Sequence, residues 1–244
     1  MNKLVVVLVM VIGLSGCKTI SIQKESQQTT TQNMMLGVVG NQKAFFLEQD
    51  YNHVAIPDYN QPIKVQPNVI AFSKSSFSAF KSAQQTQNNT IDVNYIDSVK
   101  TNQSSFLKLE IADRVSVIKA LKSKENTEVF QFLQNNNQTH IVTSISIALN
   151  QGDQDVIRNA DEVFLETSGV KNYVLKAYIN KALQQTIKFT DGVVFTYQTS
   201  SACWKEDSKY QLQIIDLVER NDKCPSKSYL SAKRAKKKIN YFNF

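Results

Sequence analysis

The spacing of apolar residues in the C-terminal half limits what this chain can become more than any other feature. "HIVTSISIAL", His140 to Leu149, sets Ile141, Thr143, Ile145, Ile147 and Leu149 against small residues, the mark of a strand with one buried face. "EVFLET", "NYVLKAYI", "LQQTIKF" and "VVFTYQTS" follow in the same texture, with Asn180-Lys181 and Asp191-Gly192 between them as tight turns. Asp-Gly flanked by alternating residues is the strongest hairpin signal in the chain. "KYQLQIIDLV", Lys209 to Val218, is a further strand. The last third therefore predicts an antiparallel meander.

Upstream the signals are more mixed. "KAFFLEQ", Lys43 to Gln49, reads as a first strand, and Tyr51 to Pro67, broken by Pro57, Pro62 and Pro67, as a long loop or irregular edge. "NVIAF" is a short strand, and Ser75 or Ser76 caps a helix that carries Phe77 and Phe80 and runs to about Gln85. From Leu107 to Leu121 the odd positions are apolar except at Asp113 and Lys119. A long bent strand or two short ones fit best, with a helix from Ala112 to Lys122 as the alternative. "ENTEVFQFLQNNN" predicts a short helix, and "NQGDQD", Asn150 to Asp155, a turn. The fold class expected is α+β and β-rich: a mainly antiparallel sheet, sandwich-like or open barrel-like, with one to three short helices.

The N-terminus carries a different pattern. Lys3 precedes an apolar run from Leu4 to Ile12, followed by Gly13, Ser15 and Gly16, which is the layout of an export signal. From Leu4 to Gly16 the run covers about 20 Å as a helix, short of the roughly 30 Å a bilayer core requires. Leu14-Ser15-Gly16-Cys17 resembles the lipobox of bacterial lipoprotein precursors, and the resemblance is confined to these first 17 residues. It implies that the thiol of Cys17 takes a diacylglycerol, that residues 1–16 are removed, and that the new amino group is acylated. Two or more buried acyl chains, at about 0.8 kcal/mol per CH₂, anchor stably where one is marginal. Lys18 stands where an aspartate would hold such a protein at the inner membrane, so the implied address is the outer membrane.

After that come residues 17–40, of which 18–33 are polar and rich in Gln and Thr, and which read as a lipidated flexible tether; 41–226 as one globular β-rich domain; and 227–244 as a basic tail. The formal charge of +7 belongs to the ends: Lys3 and the six cations of 227–244 account for all of it, leaving 18–226 neutral. A neutral body argues against nucleic acid as a partner. The tail's Lys233, Arg234, Lys236, Lys237 and Lys238 point to anionic lipid, polysaccharide or an acidic envelope protein. With Cys17 lipidated, Cys203 and Cys224 form an even pair in a compartment that permits disulfides. Closing that loop stabilises by roughly 3 kcal/mol in the loop-entropy model.

Little in the chain suggests chemistry. Seven glycines in 244 residues argue against a glycine-cradled phosphate site, and no cofactor is expected. "NQGDQD" lacks the spacing and terminal glutamate of a calcium hand, so no metal is expected. Of the two histidines, His140 opens a strand; His53, in the proline-broken loop beside Asp58, is the better candidate for a general base, because loops carry sites more often. Trp204 reads as a ring packed beside the disulfide, or as an exposed aromatic for a partner. The function expected is a membrane-anchored envelope lipoprotein acting as a non-catalytic binding or assembly module. The alternative is an envelope hydrolase acting on glycan, peptide or lipid through His53 and Asp58.

Overall fold

The computed structural model describes residues 19–44, 49–97, 104–220 and 222–236. Twelve strands occur in them: β1 (Thr19–Ile22), β2 (Glu25–Thr29), β3 (Val39–Ala44), β4 (Gln49–Ala55), β5 (Ile63–Ala71), β6 (Ser105–Ile111), β7 (Thr139–Ala148), β8 (Glu162–Thr167), β9 (Tyr173–Ile179), β10 (Ala182–Lys188), β11 (Val193–Glu206) and β12 (Leu212–Glu219). Five short helices accompany them: α1 (Lys74–Gln87), α2 (Arg114–Leu121), α3 (Thr127–Asn135), α4 (Gln151–Asn159) and α5 (Ala232–Lys236). The expected β-rich α+β fold is present, and its sheet is open rather than a closed barrel.

Every ladder is antiparallel, in the order β1-β2-β11-β7-β6-β5-β8-β9-β10. The two long strands, β7 and β11, organise it. Thr196 and Tyr197 of β11 pair with β2, and Ser200 to Glu206 then pair with β12 along the same edge. On β7, Ser144 to Ile147 pair with β6, while Thr139 to Ile141 pair with β3, which also holds β4.

Alternation divides the sheet into two faces. Leu107, Leu109, Ile145 and Ile147 lie in the larger core, which α2 and α3 help to cover. The opposite face is apolar at one end, where Phe72, Phe80, Phe106 and Phe195 gather under α1, and polar at the other, where Lys108, Ser144, Ser146 and Thr196 are buried. Ser73 starts α1 by accepting from the backbone N–H of Ser76, and Asn88 ends it at φ 50, a left-handed cap.

Several expectations are corrected. The alternation from Leu107 to Leu121 stops being a strand at Ile111, because the Asp113 carboxylate accepts from the Ser116 N–H (2.9 Å) and caps α2. Val117, Ile118 and Leu121 are buried there at helical spacing, while Val115 is exposed. "NQGDQD" is the start of α4, capped by Asn150 accepting from the Asp153 N–H (2.9 Å), and not a free turn. The strand expected from Lys43 to Gln49 falls where β3 ends and β4 begins; residues 45–48 lie outside the described residues. The proline-rich stretch is largely strand: Pro67 pairs within β5, two residues beyond the last one bonded to β8, where β6 is the only neighbour.

Asn180 and Lys181, at φ 50 and 65, form the expected tight turn between β9 and β10. Asp191-Gly192 forms no hairpin turn, since β10 pairs with β9 and β11 with β2, β7 and β12. Gly192 has an ordinary extended backbone, φ −125, and is required by space. A Cβ there would stand 2.6 Å from the Ala148 carbonyl oxygen and 2.6 Å from Leu149 Cδ2.

Residues 17–40 are not a flexible tether from Thr19 onward. The β1–β2 hairpin turns through Gln23 and Lys24, at φ 50 and 70, and β2 joins β11. Met34, Leu36, Val38 and Val39 are fully buried. Met34, Leu36 and Val38 alternate, yet no strand forms before Val39, and an irregular segment carries them into the core. The basic tail is likewise held as far as Lys236: Ala232 and Ala235 are buried, and Trp204 and Tyr229 exchange backbone hydrogen bonds of 2.7 and 2.9 Å. Lys237 and Lys238 lie outside the described residues, as does Cys17.

Candidate functional site

Cys203 and Cys224 are disulfide-bonded across 5.6 Å between their Cα atoms. Cys203 is paired with Asp216 of β12 and Cys224 follows that strand, so the bond ties the C-terminal segment to β11. Trp204 is 2% exposed and packs edge-on against Phe130 of α3, with ring centroids 5.2 Å apart. It is a core residue, and the reading of it as a partner contact is corrected: a register shift between Cys203 and Trp204 interrupts the alternation of β11, and the larger core takes the Trp204 ring.

The pair proposed for hydrolysis divides between elements. His53 is on β4, opposite Gly40, with its ring edge-on to Tyr51 at 5.7 Å. Asp58 is exposed in the loop beyond, where its N–H donates to Asn126 Oδ1 (2.7 Å) and its carbonyl accepts from Asn126 Nδ2 (2.8 Å). Asp58 rims a cleft of about 600 Å³ with Glu125, Glu128 and Lys171, over an apolar floor of Val129 and Phe132, and His53 is not among the residues that line it. A bond between the Glu125 carboxylate and its own N–H, together with Ser123, holds that acid below the usual range.

A histidine pair that the sequence did not suggest stands elsewhere. His140 Nδ1 is 3.0 Å from Ser201 Oγ, on neighbouring stretches of β7 and β11. Burial, helped by the positive Arg220, lowers the His140 pKa and favours the neutral ring. A neutral imidazole on a hydroxyl is the start of a nucleophile–base pair, but among the described residues no carboxylate orients the ring from its far side.

One described cation of the C-terminal segment, Lys236, borders a second cleft. Lys233, Arg234 and Lys236 are exposed on α5. Lys236 borders a cleft of about 610 Å³, with Lys122, Gln131, Gln134, Phe130 and Tyr210 also in its lining. Helix α3 thus separates two clefts of opposite character. Its Glu128 side meets the acid-rimmed one, and its Gln131 and Gln134 side meets the basic one.

Tyr210 is the residue sequence reading missed. The alternation predicts a strand from Lys209, yet β12 begins only at Leu212 and Tyr210 stands in the turn before it. Its φ of 60 is a left-handed conformation costly for a bulky residue, and its ring is 69% exposed. The Asp207 carboxylate builds this turn by accepting from the N–H groups of Lys209 (2.8 Å) and Gln211 (2.9 Å). The Gln211 bond is the main reason that its pKa is lowered. The Asp207-Ser208 pair before Tyr210 was the available signal for a turn.

No family model matches this chain, and no curated protein is similar to it in sequence.

Proposed function

We propose that the chain is an envelope lipoprotein, anchored through Cys17 in the outer membrane, whose body is a non-catalytic binding module for an anionic polysaccharide. The observation that carries this reading is the basic cleft. Lys122 and Lys236 both border it and suit acid groups; Gln131 and Gln134 offer amides to hydroxyls; the strained, exposed Tyr210 offers a ring face to a sugar. Lys233 and Arg234 extend the positive character along α5. These groups bind and orient a ligand, and none of them depends on proton transfer.

Polysaccharide is favoured over anionic lipid by position. The anchor-side hairpin meets β11 at Tyr197, whereas the cleft meets β12 at Gln213, the partner of Lys205. Eight residues of strand between them span about 26 Å. The cleft therefore lies at the other end of β11 from the acyl chains.

Titration of the mature chain carrying Cys17→Ser against polygalacturonate, with neutral dextran as control, tests the ligand class. Binding to polygalacturonate should weaken with salt. Lys122→Glu with Lys236→Glu should reduce it about tenfold, equivalent to ~1.4 kcal/mol from two exposed ion pairs. Salt-independent binding, or equal binding of dextran, would exclude the proposal. The anchor is tested separately: a palmitate analogue should label the wild-type protein in cells and leave Cys17→Ser unlabelled.

A further inference from the structure

Only Lys18 separates Cys17 from the first strand, so lipid attached at Cys17 is two Cα steps, at most about 7.6 Å, from Thr19. That strand pairs along its length with β2, which is fastened to the rest of the sheet. Gln27 is fully buried, and its Oε1 accepts from Ser146 Oγ of β7 (2.9 Å) and from Thr196 Oγ1 of β11. Glu25 is ion-paired with Lys108 of β6, whose side chain is 1% exposed. The hairpin is thus held by side chains from three strands of the sheet, and a membrane attached at Cys17 lies against a rigid surface.

The surface around Thr19 suits the headgroup layer. A cleft of about 500 Å³ joins Thr19 to Glu25, Gln28, Gln198, Glu219, Arg220 and Asp222, so that three carboxylates and one guanidinium stand among amides, a lining that suits the ammonium and phosphate of a zwitterionic headgroup. The large exposed apolar side chains among the described residues, such as Val115, Val170 and Leu230, lie on other elements. Such a surface meets zwitterionic headgroups without entering the hydrocarbon.

We propose that the β1–β2 hairpin seats the domain flush on the headgroup layer of its own membrane in one orientation, with the turn that carries Tyr210 held away from it. This rests on the reading of Cys17 as the lipidated residue. An anchor so close to a fixed hairpin sets which way the basic cleft faces.

The full lipidated protein, reconstituted in phosphatidylethanolamine vesicles with a headgroup-attached acceptor, tests it. A fluorescent amino acid is placed at Ser26, which lines the same cleft as Thr19, or at Ser208, in the Tyr210 turn. Transfer from position 26 should exceed that from 208. A Gly/Ser insert of about 20 residues between Lys18 and Thr19, with a reach of about 25 Å, should abolish the difference. Equal transfer from the two positions without the insert, or an unchanged difference with it, overturns the seating while leaving the anchor intact. Flotation of Cys17→Ser with the vesicles as well as the wild type overturns the anchor, and the seating with it.

Discussion

Lys108 is the most buried cation described, and its removal tests how the N-terminal hairpin is held. Its ammonium is 1% exposed, whereas Glu25 and Glu110 are 45% and 33% exposed, so the two carboxylates keep part of their hydration. Glu110 lies 3.0 Å from the ammonium and also accepts from Asn68 Nδ2. A hydrogen bond to a charged group contributes about 1.5–3 kcal/mol. A half-exposed Glu25 recovers water when its partner is lost, which puts its share at the lower end. Glu25→Gln should therefore cost about 1.5 kcal/mol in urea unfolding of the Cys17→Ser chain at pH 7, and close to nothing when Lys108→Met is already present. Burial alone would push the Lys108 pKa down; the bonds to Glu25 and Glu110 outweigh it, and the pKa stands above its ordinary 10.5. A raised pKa means the folded state holds the proton more tightly. The stabilisation is complete below the unfolded value and is lost as pH rises through the folded one. The coupling should accordingly persist at neutral pH and fade only in strong alkali. Additive effects of the two substitutions at pH 7 would refute the claim that this ion pair fastens the hairpin.

Two further outcomes follow from packing. Gly192→Ala should destabilise by about 2 kcal/mol, because its Cβ would meet the Ala148 carbonyl, part of the β7 backbone and unable to swing aside. An unchanged urea midpoint would contradict that close approach. Replacing Cys203 and Cys224 together by Ser should remove about 3 kcal/mol, given their separation of 21 residues, and lower the melting temperature by about 6–12 °C. Calorimetry showing no shift would mean that the Trp204–Tyr229 contact holds the C-terminal segment unaided.

Much of the sheet was legible because successive side chains of a strand face opposite ways, so size or polarity alternates along it even where, as in β7, both faces are buried. His140 to Leu149 shows that pattern, and so do the segments that became β8 to β12. Legibility failed where a short polar side chain could act in two ways. Asp113 and Asn150 look like interruptions or turn residues in one dimension, yet each caps a helix once its carboxylate or amide finds an N–H three residues on. The Asp191-Gly192 signal misled for a related reason. Glycine is favoured both in tight turns and where backbones crowd, and sequence does not distinguish the two. Of the candidate site, the cations of α5 were visible as a run. Lys122 and Tyr210 were not, since nothing local ties them to Lys236.

The sequence alone determined the β-rich character, the antiparallel runs β8-β9-β10 and β11-β12, and the pairing of the last two cysteines, because each depends on local period or on counting. It also supplied the lipobox resemblance on which the anchor proposal rests. Tertiary structure decided what the polar segments do. "TISIQKESQQTTT" has the composition of a linker, and it becomes a hairpin because Gln27 and Glu25 find Ser146, Thr196 and Lys108, residues 83 to 169 positions away. Of the basic run, Lys236 comes to border a cleft because Ala232 and Ala235 are buried in the core that also holds Trp204. Partners so distant in sequence leave no periodic trace, and only the folded chain brings them together.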